Sequence, residues 1–441
     1  MTDATPAWLP RALAAIRQDR VVEIAAALVD AHSPTGQELP AAEALESVLR
    51  RHGLSPSLDR FAPGRANLVA SAGAGHRGQS GSDRRSHLMF CGHLDTTGYG
   101  DERDRPWLHE LAPSDLPRAH VEDGVLSGLG AFNMKGGVAA AAEAVLAIAA
   151  AGADLPGTVS IGAVAGESEK APVRGLARDY LGRDYAGGGV GAERLLAAGA
   201  PPDAVVICEP SGLAVINAQP GYAFVRFRIV GRTGYLPPAR MPTVITALAE
   251  VVRAAGDWAA GWSERAALDC GLGTMHPTCT VGAVESGAPF KPGGTPSAAA
   301  LYADLRVPPG IDAEAAVADL AGTCREALAR HGPFSLEVDV YARNLPGALT
   351  PADDPLVKAA VAARRAVLGE HEQGAQDWDF VSGDDGKVFA RAGIPYVKVG
   401  PASATDRDPR FGREQVRVAQ LAQAASVYVE LAARILSRSG Q

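Results

Sequence analysis

The apolar positions of this chain recur at two spacings, and the alternation between those spacings sets the expected architecture. Residues 10–31 and 39–53 place apolar side chains every three to four positions, the period of an amphipathic helix. HLMFCGHLD (87–95) is instead a continuous apolar run ending in a polar tip, as in a buried strand. The order then repeats. MKGGVAAAAEAVLAIAA (134–150) reads as helix, TVSIGAVAGESE (158–169) as a strand running into acidic residues, and AVVICEP (204–210) as another strand. Strands interleaved with helices predict an α/β sheet. The functional crevice of such sheets lies at the carboxyl ends of strands, and three of those ends carry His93 with Asp95, Glu167 with Glu169, and Glu209.

From about residue 219 the pattern changes. FVRFRIVGRTGY alternates like a half-exposed strand, PTVITALAEVVRAAG is helical, ALYADLRV is a strand and DAEAAVADLAGTCREALARHG a second helix. This order predicts a small inserted α+β domain over 219–342, ending after SLEVDVY. The first domain, 1–218, resumes at 343–441 with PLVKAAVAARRAVLG, IPYVKVG and a C-terminal helix over 413–437. Segments 75–86 and 98–120 read as loops from their Gly, Asp, Arg and Pro content.

Composition narrows the function classes. The 441 residues carry a net charge of −8, which argues against nucleic acid or an anionic membrane as the main partner, since both select a basic face. The N-terminal residues lack a signal-peptide pattern, and no apolar run reaches the roughly 18 residues of a bilayer span, so a cytoplasmic location is expected. The five cysteines are scattered and odd in number, which fits buried thiols better than a disulfide framework.

The motifs SPTGQE (33–38), GHLDT (92–96), GLGAFNMKGG (128–137), GESE (166–169), CEPS (208–211), VGRTGYLPP (230–238), ADLRVPPG (303–310), SGDDGKVFARAGIP (382–395) and GPAS (400–403) stand in one order along nearly the whole chain. Taken together they resemble the zinc-dependent deacylase and exopeptidase family that includes acetylornithine deacetylase, succinyl-diaminopimelate desuccinylase, carboxypeptidase G and aminoacylase. The resemblance implies an α/β zinc-exopeptidase-like catalytic domain, residues 1–218 and 343–441, with an inserted α+β lid and dimerisation domain at 219–342. It also implies two zinc ions held by two histidines, a bridging aspartate and two glutamates, with another glutamate activating the bridging water.

Carried over by position, His93 matches the first histidine, Asp95 the carboxylate that orients it, and Glu209 a terminal ligand. Other positions depart from the pattern. Asn133 stands at the bridging aspartate, and a neutral amide cannot replace an anion shared by two dications. The glutamate pair has become Glu167-Ser168-Glu169, so one carboxylate is lost in either register. With Glu414 matched to the glutamate of the final helix, Arg410 takes the last histidine's place, where a fixed cation repels metal and attracts carboxylates. Tyr235 replaces the lid histidine that reaches across the family's dimer.

The expectation is therefore an enzyme with no metal cofactor that acts on an amino-acid or peptide-like substrate by proton transfer, in cyclisation, condensation, elimination or isomerisation. Glu167 or Glu169 would be the acid/base, with His93 and Asp95 as a proton relay. Arg410, Asn133, Tyr235 and Asp384 would contact substrate, with one of Asp384 and Asp385 capping the following helix and Arg306 tying down a lid strand. One alternative is an amidohydrolase or peptidase with a single zinc on His93, Glu209 and a substitute such as Asp406, Asp408 or Glu169. Another is a non-catalytic binding protein. A homodimer formed through the lid is expected in each case. A serine nucleophile at Ser168 is disfavoured, because no Gly-x-Ser-x-Gly elbow is present.

Overall fold

The computed structural model describes residues 6–73, 86–152, 155–199, 201–238, 240–344, 346–369, 376–377 and 382–437. Most of the segment read as a loop at 75–86 lies outside them. Six strands form the central sheet, in the order Ser57–Ala62, Arg65–Gly73, Thr158–Val164, His87–His93, Ala204–Ile207 and Tyr396–Lys398. The first three pair antiparallel, and His87–His93 pairs parallel with both neighbours, as does Tyr396–Lys398 with Ala204–Ile207.

Strand alternation explains why this sheet is covered on both sides. In His87–His93, Leu88 and Phe90 enter one core with the helices Gln18–Asp30, Gly136–Ala150 and Val418–Ser437, while Met89 and Cys91 enter a second with Val388, Phe389 and Tyr396. A strand buried on both faces reads as an unbroken apolar run, which is how 87–93 appears in the sequence. The Ala131–Ala150 stretch is apolar and long enough to cross a membrane by composition, yet 94% of its apolar window is buried inside the protein. That corrects the expectation that no segment would pass this test. Its hydrophobicity is that of a helix enclosed between a sheet and outer helices.

The second sheet has four antiparallel strands in the order Thr278–Ser286, Ala298–Val307, Gly221–Val230 and Ser335–Asn344. Ala223, Val225, Phe227 and Ile229 point to one face and pack with the helices Val244–Arg265 and Ala313–His331. Phe224 lies on the opposite face, where its ring meets Tyr341. The chain enters and leaves this unit through two short segments, Ala218–Gln219 and Ala348–Leu349, which pair with each other.

Two helices are shorter than the periodicity suggests. The 10–31 segment divides into Leu9–Ala14 and Gln18–Asp30, and the Arg20 side chain bonds back to the Ala15 carbonyl between them. The final helix starts at Val418, because Gln415–Arg417 is drawn into a strand pair with Val125–Ser127. In the 98–120 loop, Glu102–Asp104 and Pro113–Asp115 form single turns of helix.

Candidate active site

His93 ends its strand and Asp95 follows two residues later, in the gap between that strand and the loop after Thr158–Val164. Asp95 is fully buried, and its carboxylate gathers that loop. Oδ1 accepts from the Glu167 N–H at 3.0 Å, while Oδ2 accepts from the Ser168 N–H at 3.1 Å and the Thr35 hydroxyl at 3.0 Å. Burial pushes this carboxyl up, but the His93 charge and these donors outweigh it and hold it below the usual range. Asp95 thus positions Glu167 as well as facing His93.

The His93 ring lies between backbone and carboxylates. Nδ1 donates to the Asp95 backbone carbonyl at 2.9 Å, and Nε2 lies 3.0 Å from Asn133 Oδ1, 3.3 Å from Glu209 Oε1 and 3.8 Å from Glu167 Oε2. Burial alone would depress its basicity, but the Glu209 hydrogen bond and the charges of Asp95, Glu209 and Glu167 raise it well above the ordinary value. Glu167 is shifted upward by burial, against the pull of His93 and Lys387 and with added repulsion from Glu209. Glu167 Oε1 and Glu209 Oε2 are buried without a hydrogen-bond partner among the described residues. His93, Glu167 and Glu209 each offer a ligand atom, and these atoms lie within 4.8 Å of one another.

The frame around this cluster is set by close backbone contact. A Cβ on Gly137 would lie 1.9 Å from the Cys208 carbonyl oxygen, and one on Gly400 would lie 2.3 Å from that of Glu209. Only glycine lets the helix and the last sheet strand approach the segment that carries Glu209 this closely. On the other side, the half-buried Glu414 carboxylate accepts from the Phe132 N–H at 3.2 Å and fixes the turn that delivers Asn133.

Several predicted residues stand elsewhere. Glu169 turns away from His93: it forms an ion pair with Arg306 of the second sheet and lies 3.6 Å from Lys387 Nζ. Arg306, also bound to Asp304 at 2.7 Å, thus links the two sheets through Glu169. Arg410 is 65% exposed and pairs with Asp408 at 2.8 Å and Asp123 at 3.4 Å, so it does not meet Glu209. The Asp408 hydrogen bonds hold it on the surface turn Pro409–Phe411. Asp408, offered as a substitute ligand, is thereby engaged, and the Asp406 side chain lies outside the described residues. Tyr235 is 78% exposed on the second sheet's unit, beside Lys291, and does not join the His93 group within this chain. Asp384 is fully buried, 2.9 Å from Lys398 Nζ, and its carboxylate accepts from the N–H of Gly386, the first residue of the helix Gly386–Arg391, at 2.8 Å.

Three more buried titratable residues border the site: Asp385, the other member of the Asp384–Asp385 pair, and two lysines that the sequence pattern does not single out. Asp385 is buried, with its carboxyl pushed up to about 7 by burial against the pull of Lys387 and His93. Lys387 and Lys398 are also buried, and the charges of Glu169 and Asp384 respectively raise their basicity despite that burial. Their one sequence signal was a place in SGDDGK and IPYVKVG, two segments otherwise read as a cap and a strand.

The sequence profile of peptidase family M20/M25/M40 matches residues 89–434, which takes in every residue of this site beyond Thr35. The chain belongs to that family. A succinyl-diaminopimelate desuccinylase of Rhodopseudomonas palustris (strain HaA2) is 34% identical over 166 residues, which are 36% of this chain and 38% of that protein's length. Solved structures of the fold include human carnosine dipeptidase 1, with a TM-score of 0.69 at 17% identity, covering 99% of this chain and 100% of that one. A tripeptidase of Staphylococcus aureus gives 0.67 at 20% identity, covering 96% and 100%. The Bacillus subtilis YXEP protein, a dinuclear metal-binding peptidase, gives 0.59 at 14%, covering 95% and 98%. As an M20 protein, the chain carries the α/β catalytic fold with the inserted domain of that family.

Proposed function

We propose that this M20 protein acts on an amino-acid or peptide-like substrate by metal-independent acid/base chemistry, with Glu167 as the proton-transferring group. The observation that carries the reading is the fate of the donors. Asn133 brings an amide to the bridging position, Glu169 is bound to Arg306 and Lys387, and Arg410 lies on the surface with Asp408 and Asp123. Three donors stand together among the described residues, and a dinuclear centre needs more ligands and a shared anion.

Glu167 has the attributes of an acid/base: burial raises its proton affinity, and the free Oε1 can give or take a proton. Two hydrogen bonds from its own backbone and that of Ser168 to Asp95 hold it in place. His93, paired with Glu209, supplies positive charge beside it and can relay the proton. Asn133 fixes the outer face of the imidazole. Without metal-activated water, cyclisation, condensation, elimination or isomerisation is favoured over hydrolysis.

One observation favours a second reading. His93, Glu167 and Glu209 are spaced to hold a single ion, which when bound would supply an activated water for amide hydrolysis. In that arrangement Glu167 is a ligand and no longer the base. Elemental mass spectrometry of chelator-free protein, before and after zinc addition, decides between them. Near-zero metal, with activity unchanged by chelator, is expected; stoichiometric zinc that activity requires would overturn the first reading. Among the described residues the Thr278–Ser286 and Ser335–Asn344 strands form the edges of their sheet, which is consistent with a homodimer through a lid at 219–342, and light scattering tests it. The five free cysteines fit a reducing, cytoplasmic compartment.

A further inference from the structure

A groove of about 920 Å³ opens beside the site, between the 97–107 and 170–185 segments on one side and the outer face of the four-stranded sheet on the other. Its inner end adjoins the acid/base. Thr97 Oγ1 and Ser168 Oγ lie 3.3 Å apart there, and Ser168 follows Glu167 directly. The walls are rich in rings: Tyr99 and Tyr185 from the loops face Phe224, Tyr302 and Tyr341 from the sheet. Phe224 and Tyr302 each meet Tyr341, with ring centroids 5.9 and 6.2 Å apart. Aromatic walls of this kind receive flat or ring-bearing groups by offset or edge contact.

One cation in the groove stands apart. The Lys170 ammonium is buried and has no hydrogen-bond partner among the described residues; it rests 4.6 Å from the Tyr99 ring centre. Other charges there are already engaged. Arg103 pairs with Asp101, Asp104 accepts from the Tyr99 and Gly100 N–H groups, and Glu285 accepts from the Leu176 N–H and the Tyr302 hydroxyl, while the Arg178 guanidinium lies 4.4 Å from the Tyr180 ring centre and Asp184 lies 3.8 Å from Arg183. The carboxylates of Asp95, Asp104 and Asp184 attract the Lys170 ammonium without a hydrogen bond, and a buried ammonium with no bonded partner is costly unless an anion is brought into contact. Arg410, which the sequence offered for this task, is held on the surface by Asp408.

We propose that this groove is the specificity subsite of the enzyme, that it takes an aromatic amino-acid-like portion of the substrate, and that Lys170 binds that portion's carboxylate. The proposal rests on the reading of His93, Glu167 and Glu209 as the reacting centre, since the groove leads to it. It does not depend on whether an ion binds there.

The test is calorimetric titration of the full chain carrying Glu167→Gln, so that binding is read without turnover, with N-acetyl-L-phenylalanine, N-acetyl-L-alanine and N-acetyl-L-phenylalanine amide as probes. The phenyl compound should bind roughly tenfold or more tighter than the methyl one, as burial of a ring requires, and tighter than its amide. Adding Lys170→Gln should erase the preference for carboxylate over amide while keeping that for the ring; Lys170→Arg should restore it. Equal affinity for phenyl and methyl compounds, no measurable binding, or a carboxylate preference that survives Lys170→Gln would overturn the proposal. Ring-selective binding by a protein later found to need zinc would leave the subsite standing and remove only the metal-independent reading.

Discussion

Asp95→Asn is the sharpest probe of how the site is held. The Glu167 N–H binds one carboxylate oxygen of Asp95, and the Ser168 N–H binds the other with the Thr35 hydroxyl. Asparagine has one acceptor oxygen and one amide group, so in either orientation at least one backbone N–H faces a donor. The loss is one charge-assisted hydrogen bond, about 1.5–3 kcal/mol, together with a buried unsatisfied donor worth about 1–3 kcal/mol. A total near 3–5 kcal/mol follows. Because the folded state depresses the Asp95 pKa, its contribution is present above the unfolded carboxyl value of about 3.9 and fades as pH falls through the lower folded value. Urea unfolding of both proteins across pH reads this directly. The stability gap should be constant from neutral pH down to about pH 4 and narrow below it, with an unchanged denaturant slope. A gap under about 1 kcal/mol at neutral pH, or one that widens on acidification, would refute the argument.

Three further outcomes follow from the same geometry. Glu167→Gln should stabilise the protein relative to the parent at neutral pH and have little effect below about pH 4, because a carboxyl whose folded pKa is raised loses stability as pH rises past its unfolded value; a thermal shift independent of pH would contradict this. Arg20→Met should cost about 3–5 kcal/mol by stranding the buried Glu143, which Arg20 grips at 2.7 and 2.8 Å. Arg20→Met with Glu143→Leu should recover much of that loss in urea unfolding, and a double variant as weak as the single would sink the account. Arg410→Ala should leave both the denaturation midpoint and calorimetric ligand binding unchanged, given its exposure and its surface partners; lost binding would mean that this side chain reaches the site.

The sequence made the sheet and the strand-end residues readable because both depend on local pattern. The 87–93 run had to be a doubly covered strand, and His93, Glu167 and Glu209 had to stand at neighbouring strand ends once those strands paired side by side. Other features depend on contacts between distant residues. Glu169 is captured by Arg306 and Lys387, more than a hundred positions away, and nothing in GESE distinguishes it from Glu167 as the residue turned aside. Counting back from Glu414 puts Arg410 at the last histidine's place, but the turn between them orients it towards Asp408 and Asp123. Lys170, a lone lysine beside an acidic motif, reads as a solvated charge from the sequence, because the rings around it come from distant segments.

The two glycine contacts on the Cys208–Glu209 backbone have a consequence for how such a site changes over time. At Gly137 and Gly400 main chain meets main chain, so these contacts with the Cys208–Glu209 backbone do not run through the Glu209 carboxylate. A site held together by its metal would lose its shape along with its ligands. Contacts of this kind do not involve the side chains at 133 and 410, so single substitutions at those positions should leave this part of the backbone in place. The scaffold is in that sense open to new chemistry, and the same independence should let a designer restore or exchange donors in small steps.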